Sequence, residues 1–204
     1  MTDIYAPPAS SLLQVPSDGV AYAARWRRFC ALAVDMCVVL IAVYVLMFFV
    51  RADQTLSYYF VPFHGFSFAL YKFYMDGVSG QTFGKRLLKI RVVRLDGVPM
   101  GFGASARRAI LYACASVPWV VAKMIALSQI PPGRFAPLDP GPMRQLEQSL
   151  MPAWWEPVSI VVNVYVLAQI LSCIFTARRQ TLSDLISGTV VVNCVPRVIE
   201  PAHE

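Results

Sequence analysis

The chain has 204 residues, of which 57% are hydrophobic and only 15% charged, with a formal net charge of +6 and a mean hydropathy of +0.54. An ordinary soluble domain carries about 25% charged residues, so that class is excluded. Nucleic-acid binding is also excluded as the meaning of the positive charge, because the Lys and Arg flank long apolar runs instead of forming one basic face.

Residues 1–24 are rich in Pro, Ser and Ala without periodicity and read as a flexible cytoplasmic tail. Four mostly apolar runs follow, at 29–50, 57–75, 109–130 and 154–175. Each is about 20 residues long, enough to cross roughly 30 Å of hydrocarbon at about 1.5 Å per residue. They lack the alternation of barrel strands, so helices must satisfy their backbone groups. The expected fold is an all-α membrane protein with four transmembrane helices. The first run is about 22 residues long, too long for the apolar part of a signal peptide, and is expected to act as an uncleaved insertion signal.

Orientation follows from the basic residues. Arg25, Arg27 and Arg28 precede the first run; Lys85, Arg86, Lys89, Arg91, Arg94, Arg107 and Arg108 lie between the second and third. Arg178, Arg179 and Arg197 follow the fourth, whereas the opposite loops hold only Arg51, Arg134 and Arg144. The positive-inside rule then places both termini in the cytoplasm of a cell with this chain in its (inner) membrane, the basic face against anionic headgroups.

The first span, within RRFCALAVDMCVV, contains a carboxylate at Asp35. Arg28 and Asp35 are seven residues apart, which on a helix puts them within about 20° of one face and about 10.5 Å apart along the axis. That is too far for a direct bond without bending, so both are expected to contact a third group. A carboxylate at a membrane-helix centre costs about 2.5–3.5 kcal/mol, less nearer the edge, and something must offset it. A cation, a proton, a water-filled cavity, or a donor such as Asn163, Gln169 or an inner-loop Arg would serve. Two roles stay open. Asp35 is either a titratable group exchanging a proton for a monovalent cation or organic substrate, or an anchor bonded to Arg28 or an inner-loop Arg.

The short RADQTL segment makes spans one and two antiparallel neighbours. The second span is dense in aromatic residues; its His64 reads either as a hydrogen-bonded packing residue or as the one intramembrane group whose ordinary pKa is near neutrality, and Lys72 as snorkelling to the inner interface. In the inner loop, 76–108, the spacing predicts an amphipathic helix over 81–89, with Phe83, Leu87 and Leu88 toward lipid and Lys85, Arg86 and Lys89 toward headgroups. KIRVVRL then reads as a strand, Asp96-Gly97 as a tight turn, and VPMGF as an imperfect returning strand interrupted by Pro99. In the third span Pro118 predicts a kink and Lys123 snorkels outward. The outer loop, 131–153, opens with Pro and Gly turns and then offers a short helical pattern in Met143, Leu146, Leu150 and Met151, beside the interfacial Trp154 and Trp155.

After the fourth span, QTLSDLISGT predicts a short helix capped by Thr181 with Asp184 at its third position. Asp184 reads as a cap and an Arg partner, or as part of a cytoplasmic gate or ligand site. TVVVNCV, after Gly188, is a second β-branched run that would pair with KIRVVRL into a small cytoplasmic sheet. A C-terminal tail covers 196–204.

Three ordered pieces, RRFCALAVD, GQTFGKRLLKIRVVRLDG and QTLSDLISGTVVV, resemble the RDD family of small integral membrane proteins. The resemblance implies a domain over 25–195 whose signature residues are Arg28, Asp35 and Asp184, the candidate binding or transport residues. Where that family often has a histidine before its second aspartate, this chain has Ser183. The resemblance implies transport of an unidentified ligand, with cation/proton exchange attributed to some members.

No enzyme is expected: there is no phosphate-cradling glycine loop, nucleophile–base pair or HExxH, hence no catalytic residue and no cofactor. The cysteines have neither metal-site spacing nor the placement for an external disulfide. The expected function is a small transporter or cation/proton antiporter working as an oligomer, since four spans leave little room for an enclosed pathway. The alternative is a non-catalytic membrane subunit or adaptor that recruits or stabilises a partner membrane protein.

Overall fold

The computed structural model describes residues 22–50, 53–131 and 140–194. Within them the order is α1 (Arg25–Val50), α2 (Gln54–Ser79), α3 (Phe83–Leu87), β1 (Ile90–Arg94), α4 (Gly101–Ser128), α5 (Pro140–Ser149), α6 (Trp155–Phe175), α7 (Leu182–Ser187) and β2 (Thr189–Asn193). Both predicted tails lie largely outside the described residues.

Among the described residues three helices, α1, α4 and α6, are long and apolar enough to cross a membrane. The remaining expected span is α2, helical over 26 residues but less apolar, because Tyr58, Tyr59, Pro62, His64, Gly65 and Tyr71 interrupt its Phe, Val and Leu residues; Lys72 and Asp76, nearer its end, are buried within the protein. The outward faces of α1 and α6 present Ile41, Phe48, Phe49, Ile160 and Val161 without protein cover. Such a surface is stable only in an apolar solvent. Asp53 starts α2 by accepting from the Thr55 and Leu56 N–H groups.

The α2 and α4 helices form the most extensive packed pair; α1 rests on α2 and α3, and α6 on α4 and α7. Small residues set the closeness of α2 and α4: a Cβ at Gly65 would overlap the Val120 side chain. The expected sheet is present, β1 antiparallel to β2 with Ile90 opposite Asn193 and Arg94 opposite Thr189. Tyr22 adds a bridge to Val192, and the Ala23 N–H donates to the Val191 carbonyl at 3.0 Å. The sheet, α1 and the start of α4 share a core of Ala23, Ala31, Ile90, Val92, Met100 and Val191.

Two inner-loop expectations are corrected. VPMGF is not a returning strand: only Pro99 bridges to Val93, and α4 begins at Gly101 and takes Phe102 into the helix. A proline has no N–H to continue a ladder. The Asp96-Gly97 turn does form, with Gly97 at φ +80° and Asp96 Oδ1 accepting from the Val98 N–H at 3.2 Å. The helix predicted over 81–89 is a single turn, ended by Lys89 at φ 53°. Phe83 and Leu87 are exposed, but Lys85 is buried and does not face headgroups.

At the opposite end, α5 forms where the outer-loop pattern placed a helix. Its Met143 and Leu146, with Leu150 just past its end, pack on Val61, Val120, Leu127 and Ile130. Lys123 does more than snorkel, because it is paired with Glu147 of α5. His64 is a packing residue, stacked on Phe60 and edge-on to Trp119 at 5.0 Å between ring centres.

Candidate functional site

The site is built at the sheet end of the bundle. There, α7 begins with a capping box: Thr181 Oγ1 accepts from the Asp184 N–H at 3.3 Å, and Asp184 Oδ2 accepts from the Thr181 N–H at 3.0 Å. Gly188, at φ +65°, ends the helix in the left-handed conformation that suits glycine. This geometry fixes the Asp184 carboxylate between two guanidinium groups. Arg28 of α1 pairs with Oδ2 and Arg108 of α4 donates to Oδ1 at 2.8 Å. Burial by itself raises the Asp184 pKa, but Arg108, then Arg28, and the Thr181 N–H outweigh it and hold the carboxyl well below the usual carboxylate range. One aspartate therefore ties together α1, α4 and α7. The cap and the Arg pairing expected of Asp184 are both present.

Asp35 is clasped differently. Completely buried, its Oδ1 accepts from the Tyr71 hydroxyl at 2.8 Å and from the Gly84 N–H at 2.8 Å. Its Oδ2 accepts from the Thr82 hydroxyl at 2.5 Å and faces Lys72 Nζ at 3.9 Å. The Tyr71 oxygen in turn accepts from the Phe83 N–H at 2.9 Å. Asp35 thus binds α1 to α2 and to the first turn of α3, where free N–H groups favour a negative charge. Gly84 makes this possible, since a Cβ there would overlap the Ala31 carbonyl oxygen and sit 3.0 Å from Asp35 Oδ1.

Arg28 and Asp35 are therefore not partners, and neither an inner-loop Arg nor Gln169 serves Asp35. Gln169 instead donates to the Tyr165 hydroxyl at 2.7 Å and accepts from the Ser183 N–H at 3.2 Å. Lys72 does not snorkel; its side chain is buried, lying over the rings of Phe68 at 5.3 Å and Tyr112 at 5.8 Å. A third clasp joins Lys85 of α3 to Asp76 of α2 at 2.6 Å. Burial lowers the Lys85 pKa to about 7, with Asp76 opposing. Sequence reasoning passed over Tyr71, Asp76 and Thr82, and counted Arg108 only among the inner-loop basic residues. A signal existed for one of them, because Lys72 and Asp76 are four residues apart and share a helix face.

Above these clasps lies a cavity of about 410 Å³ walled by α1, α2, α4 and α6. Arg28, Asp35, Lys72, Lys85 and Arg108 form its charged floor, and Leu32, Phe68, Val162, Val166 and Ile170 contribute apolar wall. The α1 and α6 helices, which both wall it, are joined at the sheet end by the Arg25 Nε–H donating to the Cys173 carbonyl at 3.4 Å, and the cavity is partly open. Its volume falls in the range of small-molecule sites, roughly 300–1,000 Å³. Among the described residues no group of His, Cys, Asp and Glu is placed to hold a metal ion. A charged floor under an apolar wall can hold a molecule that has one polar and one apolar end.

Comparison with known families gives a match of the RDD family model to residues 22–188. No curated protein matches the chain, and no solved structure does.

Proposed function

This chain belongs to the RDD family, and from that premise we propose that it is a small carrier-type membrane protein that takes a ligand into the cleft between α1 and α6. The observation that carries this reading is the partly open cavity itself, with one charged floor and one apolar wall; in this reading its mouth is lateral, between α1 and α6. Asp35, Asp184 and Asp76 are holding groups in this reading. Each is already paired or hydrogen-bonded within the protein, which favours a fixed floor over a carboxylate exchanging protons with cations.

In the same reading α2 is a fourth crossing, packed antiparallel on α4, and the Arg-rich sheet end faces the cytoplasm with both termini. A cleft open on one side needs a second copy, a partner membrane protein or lipid to close it, which supports assembly in the membrane.

The mouth is tested by a nitroxide at position 115, on the cleft wall, introduced as Ala115→Cys in a background whose native cysteines are replaced by Ser. In lipid vesicles its collision rate with dissolved oxygen is expected to approach that of a nitroxide at Val161→Cys, on the outward face of α6. A rate as low as that of a packed helix interior would contradict an open cleft.

A further inference from the structure

The charges of the floor do not balance. With Lys85 protonated and paired to Asp76, Arg28, Lys72 and Arg108 are left with only Asp35 and Asp184, so in that state the buried cluster holds one more cation than anion. Two guanidinium groups share Asp184, and the Nε of Arg108 is buried without a hydrogen-bond partner. Lys72 is bound most loosely. Only 6% exposed, its ammonium has a carboxylate oxygen at 3.9 Å and two aromatic rings, but no acceptor within hydrogen-bond distance. An ammonium carries three donors, and leaving them unmet in a buried site is costly. Lys72 lines the cleft, which sets its side chain beside whatever enters.

We infer that the ligand of the cleft is an anionic amphiphile with a single apolar chain, its carboxylate or phosphate head bound by Lys72 beside Arg108 and its chain lying along Leu32, Phe68, Val166 and Ile170. This rests on the cleft being the ligand site. Charge complementarity selects an anion, because a monoanion neutralises the excess while a cation adds to it. The apolar wall and the mouth toward lipid select an amphiphile over a small soluble anion, which would leave the wall bare.

Tritiated dodecyl phosphate is the probe, measured by equilibrium binding to the purified chain in phosphatidylcholine nanodiscs, with empty nanodiscs subtracted. Saturable binding is expected. Unlabelled dodecanol and dodecyltrimethylammonium compete at least about tenfold more weakly than dodecyl phosphate, the loss of one charge-assisted contact, and inorganic phosphate does not compete. Lys72→Gln weakens binding by about tenfold or more, and Lys72→Arg retains it. Val166→Trp fills the cleft without touching a charge and abolishes binding, its thermal unfolding serving as the check on folding.

Absence of saturable binding, or a folded Lys72→Gln that binds like the wild type, overturns the inference. Equal competition by inorganic phosphate overturns the amphiphile in favour of a free anion. Equal competition by dodecanol or dodecyltrimethylammonium overturns the anionic head alone, provided Val166→Trp still abolishes binding. Binding that Val166→Trp leaves intact lies elsewhere and removes the cleft as the site.

Discussion

Replacing Asp184 by Asn is expected to destabilise the protein by about 3–5 kcal/mol, the cost of leaving buried charges without their partner. The size follows from the double duty of this carboxylate. It is the counter-ion of both Arg28 and Arg108 and also closes the capping box of α7. Chemical denaturation in mixed micelles, read by far-UV circular dichroism, measures it. Adding Arg28→Gln to Asp184→Asn is expected to recover only part of the loss, since Arg108 still faces the vacated carboxylate site. The pH dependence has a definite sign. A carboxylate whose folded pKa is depressed contributes stability that is fully present above its unfolded pKa, about 3.9, and is lost as pH falls through the folded value. The difference between wild type and Asp184→Asn is therefore flat from pH 7 to about 5 and narrows only below the unfolded pKa.

The second large effect is expected at the α1–α3 contact. Asp35→Ala removes the acceptor of the Tyr71 and Thr82 hydroxyls and the Gly84 N–H and leaves Lys72 without its carboxylate. A loss of about 3–5 kcal/mol follows from an uncompensated buried cation. Gly84→Ala attacks the same contact by volume: its methyl group collides with the Ala31 backbone, for about 1–3 kcal/mol. Because both changes break one clasp, the double variant is expected to lose less than the sum of the two. Additive losses in the same denaturation experiment would show that Gly84 and Asp35 act in separate contacts.

Much of this architecture was legible in the residues. The apolar runs gave α1, α4 and α6 because length and hydropathy are local properties, and α2 was recognisable as a helix though less apolar than its neighbours. The pairing of KIRVVRL with TVVVNCV was legible because two β-branched runs on one side of the bundle have unpaired edges to satisfy. The Thr181–Asp184 capping box was readable from spacing alone. Partner choice was not. Seven residues on one helix pointed Arg28 and Asp35 toward a shared group, yet each found its own clasp, because α7 and α3 approach α1 at different heights. Lys72 illustrates the difficulty: its distance from the helix end suggested snorkelling, and only the position of Asp35 across the helix pair turns it inward. Lys85 was read by its amphipathic pattern, which a one-turn helix is too short to impose.

The central claim is that Asp35 holds the floor of the cleft and does not carry protons through it. The most direct measurement is cation-driven proton flux in vesicles reconstituted with the wild type or with Asp35→Asn, which keeps an oxygen for the Gly84 N–H. A still-folded Asp35→Asn is expected to show the same flux as the wild type, under every monovalent cation tried. Flux present in the wild type and lost in a folded Asp35→Asn would contradict the claim and make Asp35 the coupling group of an exchanger.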